Sequence, residues 1–422
     1  AMGRKLALLV GINYPGTKAE LRGCHNDVDR MHRCLVDRFG FEEDDIRVLV
    51  DRDGSSGPLP TGANIRRALA RLVGAACPGD FLFFHFSGHG TRLPAETGQD
   101  DDTGYDECIV PSDMNLITDD DVSELVQKVP DGCIFTIISD SCHSGGLLEK
   151  AKEQIGDSTR ESETQSGESE ESSDSPTGFR SFLKDTVRDV FKSHSRRFRS
   201  RHGSDDDEEA DAQVEAEAEA DGDDHTKSRS LPLSTPIEML KQQSGKEDVD
   251  VGSIRMTLFN FFGEDASPKV KKFMKVMFLK YCEGKLGEQD GVMGMVGGLA
   301  YKLLKAKLEG GDEEEDALRP AMEQEVGGEE EVYAGARSWA PTNGILISGC
   351  QSSQTSADAT TAQGSSFGAL SNAIQTILEG EEGEVTNRDL VMGARKALAK
   401  QGYAQQPGLY CSDELLHVAF IC

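Results

Sequence analysis

Phe81-Leu82-Phe83-Phe84-His85-Phe86-Ser87-Gly88-His89-Gly90 and Ile134-Phe135-Thr136-Ile137-Ile138-Ser139-Asp140-Ser141-Cys142-His143-Ser144-Gly145 share one construction. Each opens on an apolar run without polar alternation, the mark of a strand buried on both faces of a parallel sheet. Each then changes abruptly to small and polar residues around a histidine or a cysteine. In open α/β sheets, residues just past the carboxyl ends of neighbouring strands meet in one crevice. The pattern therefore predicts that His89 and Cys142, distant in sequence, lie together at one sheet edge.

The surrounding chain fits such a sheet. Residues 6–12 and 46–50 read as further strands. Val28, Met31, Leu35 and Val36 stand at helical spacing within 27–39, and Ile65, Leu69, Leu72 and Val73 do so in a helix that Asn64 is expected to cap. A helix is expected over 120–129. Near the carboxyl terminus the reading gives a strand at 344–347, helices through Leu370, Ile374 and Leu378 and over 387–399, and a last strand at 415–421. This alternation predicts a mostly parallel central sheet flanked by helices, shared between a large region, 1–150, and a small one, 335–422.

The middle of the chain has another composition. Residues 154–174 are rich in Ser and Glu, and 205–224 are almost entirely Asp, Glu and Ala, too polar to offset the entropy of ordering. The expectation for 151–229 is a long acidic, largely disordered linker. It contains a basic island, 180–201, whose Phe182, Leu183, Val187 and Phe191 are spaced as on an amphipathic helix. A partly ordered helical region is expected over 230–334, where Val270, Phe273, Met274 and Met277 form an apolar stripe better suited to core packing than to a cofactor.

A cysteine with an ordinary pKa near 8.5 is only a few per cent thiolate at neutral pH, so a neighbouring imidazole is what makes it a nucleophile. Gly88, Gly90, Gly145 and Gly146 would let backbone approach a substrate, and main-chain N–H groups at Cys142 or Gly90 would face a developing oxyanion. In this form, S-G-H-G with D-S-C-H-S-G, the chain resembles the metacaspases, caspase-like cysteine peptidases. Residues 5–30 are similar to that family's first strand and following loop, and I-S-G-C-Q-S-S-Q-T-S-A-D at 347–358 to the start of its small subunit. The acidic linker makes the likeness that of the plant type II branch. The resemblance implies a caspase-like fold, a Cys142–His89 dyad, protein or peptide substrates, calcium activation of a zymogen, and a part in programmed cell death. No third residue orienting His89 is legible.

On the same resemblance, Asp27, Asp140 and Asp358 fall at the positions of the pocket that takes the residue before the scissile bond. Carboxylates there imply Arg or Lys, not the aspartate that caspases prefer. Asp27 reads equally well as a helix-opening charge. Asp140, between a buried strand and Cys142, is too costly to bury without a purpose. A second acidic group comprises Asp100–Asp102, Asp106, Glu107 and Asp119–Asp121. Alone it would pass for solvated surface, but dense carboxylates on loops are also the material of a calcium site. The resemblance favours calcium, with Asp101, Asp102, Asp119 and Asp120 as ligands and Glu149 as a further one. In H-T-K-S-R-S-L-P at 225–232, Lys227 is the first choice for self-cleavage and Arg229 its close competitor. Arg196, Arg197 and Arg199 are secondary sites. The basic segment is expected to inhibit the resting enzyme as its own substrate.

Composition limits the partners. The 422 residues carry a formal charge of −30, which argues against nucleic-acid backbones and anionic membranes as ligands. No apolar run reaches the roughly 18 residues of a membrane span, and no secretory leader is legible. The ten cysteines lack paired spacing and read as reduced thiols. The expectation is a cytoplasmic monomer. A competing reading is a calcium-dependent binding protein whose acidic linker recruits basic partners; another is a peptidase of the same fold with different specificity.

Overall fold

The computed structural model describes residues 3–55, 57–94, 105–142, 144–148, 151–156, 226–245, 254–282, 343–350, 354–361, 364–381 and 383–421. The basic island, Asp101, Asp102, His143, Glu149, Arg196, Arg197 and Arg199 lie outside them.

Strands β1 (Lys5–Gly11), β2 (Ile46–Val50), β3 (Phe81–Ser87), β7 (Ile134–Asp140) and β10 (Gly344–Ser348) pair in parallel in the order β2-β1-β3-β7-β10. Two short antiparallel strands, β13 (Gly408–Tyr410) and β8 (Glu153–Ile155), extend it to seven. The two ends of the chain thus complete one sheet, as the alternating pattern predicts. Three smaller strands, β4 (Gly90–Pro94), β5 (Tyr105–Ile109) and β6 (Ile117–Thr118), form an antiparallel sheet after His89.

Both faces of the central sheet are covered, which is why its strands read as continuous apolar runs. On one face Leu8, Val10, Phe84, Phe86 and Ile137 share a buried cluster with Ile65 and Leu69 of α2 (Gly62–Gly74) and Val122 and Val126 of α3 (Asp119–Val126). The same cluster takes in Leu240, Leu258, Val270 and Met274 from α4 (Ser234–Ser244), α5 (Ile254–Phe262) and α6 (Pro268–Cys282). On the other face Leu9, Phe83, Ile138 and Ile347 pack with Val28, Met31 and Leu35 of α1 (Cys24–Asp37). Leu370 and Ile374 of α7 (Ala369–Gly380) and Leu390 and Leu398 of α8 (Asn387–Lys400) complete that layer.

Several local expectations change. Thr61, not Asn64, caps α2: its side chain accepts the Asn64 N–H. The carboxyl-terminal strand is Gly408–Tyr410, whereas 415–421 forms a short helical turn and loop. The described ends of 151–229 are ordered, as the edge strand β8 and as β9 (Thr226–Ser228), so the linker's tail belongs to the folded body. Among the described residues no helix is long and apolar enough to cross a membrane.

Candidate active site

Strands β3 and β7 are neighbours in register, Ser87 opposite Asp140, so His89 and Cys142 each leave the sheet two residues past a paired position. Gly90 packs so tightly under this exit that an added Cβ would lie 1.7 Å from the Cys142 carbonyl oxygen. Only glycine fits there. Both reactive side chains are buried, His89 at 3% exposure and Cys142 at 0%.

What covers them is the chain itself. β9 pairs antiparallel with β11 (Ala357–Thr360), Lys227 opposite Asp358 and Ser228 opposite Ala357. Arg229 continues the strand, its N–H donating to the Ser356 carbonyl at 2.8 Å and its carbonyl accepting from the Gly90 N–H at 3.0 Å. Leu231 N–H then donates to the Gly90 carbonyl at 2.9 Å. The segment lies extended across the crevice, as a peptide substrate would. The Cys142 Sγ accepts the Ser356 N–H at 2.8 Å and lies 3.9 Å from the Ser356 carbonyl that holds Arg229. The sulfur and the Arg229 main chain thus converge on one residue.

The Arg229 guanidinium fills a fully buried pocket. Nη2 donates to Asp27 Oδ2 and Asp358 Oδ1, each at 2.9 Å, and Nη1 to Ser87 Oγ and the Asp140 carbonyl, also at 2.9 Å. Asp140 Oδ2 is 3.4 Å from Nη1. The three aspartates predicted from sequence meet on one cation. Each has its own support: Asp27 accepts from Ser87 Oγ and Gly368 N, Asp140 from Ser356 Oγ and Ser371 N, Asp358 from Arg22 N and Gly23 N. Three buried carboxylates face one guanidinium, so negative charge is in excess. Burial accordingly raises Asp27 to about 7, against the pull of Arg229 and with the push of Asp140. Gly368 forms a wall that no larger residue could: an added Cβ would sit 2.2 Å from Asp140 Oδ2. Lys227, by contrast, is exposed and donates to the Glu20 carbonyl, at 2.9 Å.

His89 has orienting partners that no sequence pattern discloses. Its Nε2 lies 2.8 Å from the Ala19 carbonyl, an acceptor only, so Nε2 carries the proton and Nδ1 is left as the basic nitrogen. Among the described residues Nδ1 has no partner in hydrogen-bonding geometry, although the Arg229 carbonyl is near enough to favour a proton on the ring. Burial lowers His89 to about 4, which keeps it neutral in the closed chain. Its main-chain N–H donates to Tyr14 Oη at 3.0 Å, and Tyr14 Oη donates to the Val110 carbonyl at 2.6 Å. Tyr14 itself sits at φ +49°, in the left-handed region, costly for a residue with a Cβ. The Asp51 carboxylate accepts both Asn13 N–H and Tyr14 N–H, at 2.8 and 2.7 Å, and holds that turn. A carbonyl and a backbone conformation carry no residue signature, hence their absence from the sequence reading.

The second acidic group is partly described. Asp106 is buried and paired with Arg255 and Lys269, each at 2.7 Å, and Lys269 also reaches Asp120 at 2.5 Å. Asp119 accepts from Glu107 N and Asp120 N, yet burial, with the charges of Asp106 and Asp120, pushes it up to about 8. Asp121 closes a capping box with Thr118 at the start of α3 and accepts the Lys269 N–H. Asp119–Asp121 thus open a helix as well as forming a charge cluster. Among the described residues no three His, Cys, Asp or Glu side chains are grouped to hold a metal.

Comparisons with known proteins converge. The family model for the metacaspase peptidase C14 domain matches residues 5–151, and that for the caspase domain matches 239–416. Arabidopsis thaliana metacaspase-4 is 57% identical over 99% of this chain and 100% of its own length. Metacaspase-6 of the same plant is 50% identical with the same coverage, and metacaspase-9 is 36% identical over 99% of this chain and 97% of its own.

Proposed function

This chain belongs to the metacaspases, cysteine peptidases with a caspase domain, and on that footing we propose a calcium-activated endopeptidase that cleaves after Arg or Lys and matures by cutting its own linker after Arg229. One observation carries the reading: Arg229 occupies a pocket of three carboxylates while its carbonyl rests on the Gly90 N–H. The preference for Lys227 as the main cut gives way to Arg229, because Lys227 stands outside the pocket.

The chemistry follows from that placement. Cys142 attacks the arginyl carbonyl carbon, and the thiol proton passes to His89 Nδ1. The oxyanion develops at the oxygen that already faces Gly90 N–H, a donor worth roughly 2.7–4 kcal/mol. His89 returns the proton to the nitrogen of Ser230, the peptide bond breaks, and water later releases the acyl group. In the resting chain Sγ is held by Ser356 N–H and not by the imidazole, so a small rearrangement must precede attack. The inhibitory role of the linker is this same occupancy. Hydrolysis of arginyl and lysyl peptides, but not aspartyl ones, in the presence of calcium is the expected result. Equal hydrolysis of aspartyl peptides would reject the pocket.

Calcium suits the second acidic group. Asp119 is a dehydrated carboxyl among like charges, and the single Lys269 of α6 is shared between Asp106 and Asp120, Asp106 also meeting Arg255. Such a group calls for a cation. Asp119 and Asp120, with Asp101 and Asp102, remain the proposed ligands; a bound ion would supply fixed positive charge beside the loops that follow His89. Lys269 then competes with calcium for the same oxygens. K269M in an inert Cys142→Ala chain is expected to tighten calcium binding by roughly 5- to 150-fold, the usual range of coupling between two sites. Calorimetric titration checks this, and unchanged affinity would reject the competition.

A further inference from the structure

Past Ser230 the linker does not leave the enzyme at once. Ser230 forms a parallel bridge with Gly90, and Leu231 then has both main-chain polar groups bound by the start of β4: its N–H by the Gly90 carbonyl, and its carbonyl by Thr91 Oγ1 at 2.8 Å. Thr91 is 1% exposed and Leu231 6%. The Leu231 side chain joins the buried apolar cluster on this face of the sheet, which takes in Leu93, Leu147 and Leu148 from the segments after His89 and Cys142 as well as Ile237 and Leu240 of α4. Pro232 is exposed and has no N–H to offer, so this ladder stops at Leu231.

We infer that Thr91, Gly90 and the apolar floor beside them form a substrate subsite for the second residue after the scissile bond, selecting a leucine-like side chain in substrates supplied from outside. The inference rests on the proposed cut after Arg229. Its physical basis is that Leu231, on the leaving side, has both backbone polar groups hydrogen-bonded to Gly90 and Thr91 and its side chain dehydrated. A polar or charged residue at that place would forfeit burial and strand its own solvation in an apolar site. Discrimination between apolar side chains of different size in such a pocket is worth about 10- to 200-fold.

The test uses the full-length chain after calcium activation and quenched fluorescent peptides of sequence Thr-Lys-Ser-Arg-Ser-X-Pro, with X leucine, alanine or glutamate. The expected kcat/KM falls at least tenfold from leucine to alanine and further to glutamate. T91V is expected to lower the ratio of kcat/KM for the leucine peptide to that for a short arginyl coumarin amide, which ends before this subsite, and T91S to restore it. Equal kcat/KM for the three peptides, or equal losses on both substrates in T91V, would overturn the inference and leave the arginine reading standing. No cleavage after arginine in any peptide would overturn both.

Discussion

Cys142→Ala is expected to lower peptide hydrolysis by more than about a thousandfold and to leave the calcium-treated chain at full length. The size follows from the division of labour at the site. Removing the nucleophile from a nucleophile–base pair costs several orders of magnitude in rate, since what remains is binding and one oxyanion donor. The substitution removes one sulfur that, among the described residues, is hydrogen-bonded to the main chain of Ser356 alone, so the fold should be retained. Circular dichroism and the melting temperature provide the control. A variant that keeps its shape and still cuts would exclude Cys142 as the attacking atom.

The second large effect is expected at the pocket. Asp27→Asn removes one of the two carboxylates that touch Nη2 of the buried guanidinium and retains the hydrogen-bonding shape. Breaking one partner of a buried pair costs about 3–5 kcal/mol, or roughly 100- to 4,000-fold in kcat/KM for an arginyl peptide. The pH profile separates charge loss from misfolding. Because burial, against the pull of the bound guanidinium, leaves Asp27 at about 7 with an arginine in place, the occupied pocket loses negative charge as pH falls through that value, and kcat for arginyl peptides should fall with it. The neutral amide cannot titrate, so the variant should lack that limb. A variant with wild-type kcat/KM, or one that keeps the limb, would remove Asp27 from recognition.

The legible part of this protein was what side chains alone encode. The unbroken apolar runs before His89 and Cys142 are strands buried on both faces, and their register follows from the parallel sheet they build. Asp27, Asp140 and Asp358 were readable as a set through family likeness, and the structure brings them onto one guanidinium. The choice between Lys227 and Arg229 was not readable. Two basic residues at i and i+2 are equivalent by charge and fall on the same side of an extended strand, so alternation cannot choose between them; only the pairing with β11, which sets Arg229 against Ser356, decides which enters the pocket. β13 is three residues long and left no periodic signal, so the apolar tail at 415–421 looked like the better strand. Ala19 and Ser356 act through main-chain atoms, which any residue would supply.

At the centre of the account is a chain lying in its own catalytic cleft with the bond after Arg229 presented to Cys142. Mass spectrometric identification of the new amino terminus released on adding calcium tests it most directly. The account predicts a fragment beginning at Ser230; a first fragment beginning at Ser228, or a chain that stays whole while arginyl peptides are hydrolysed, would contradict it.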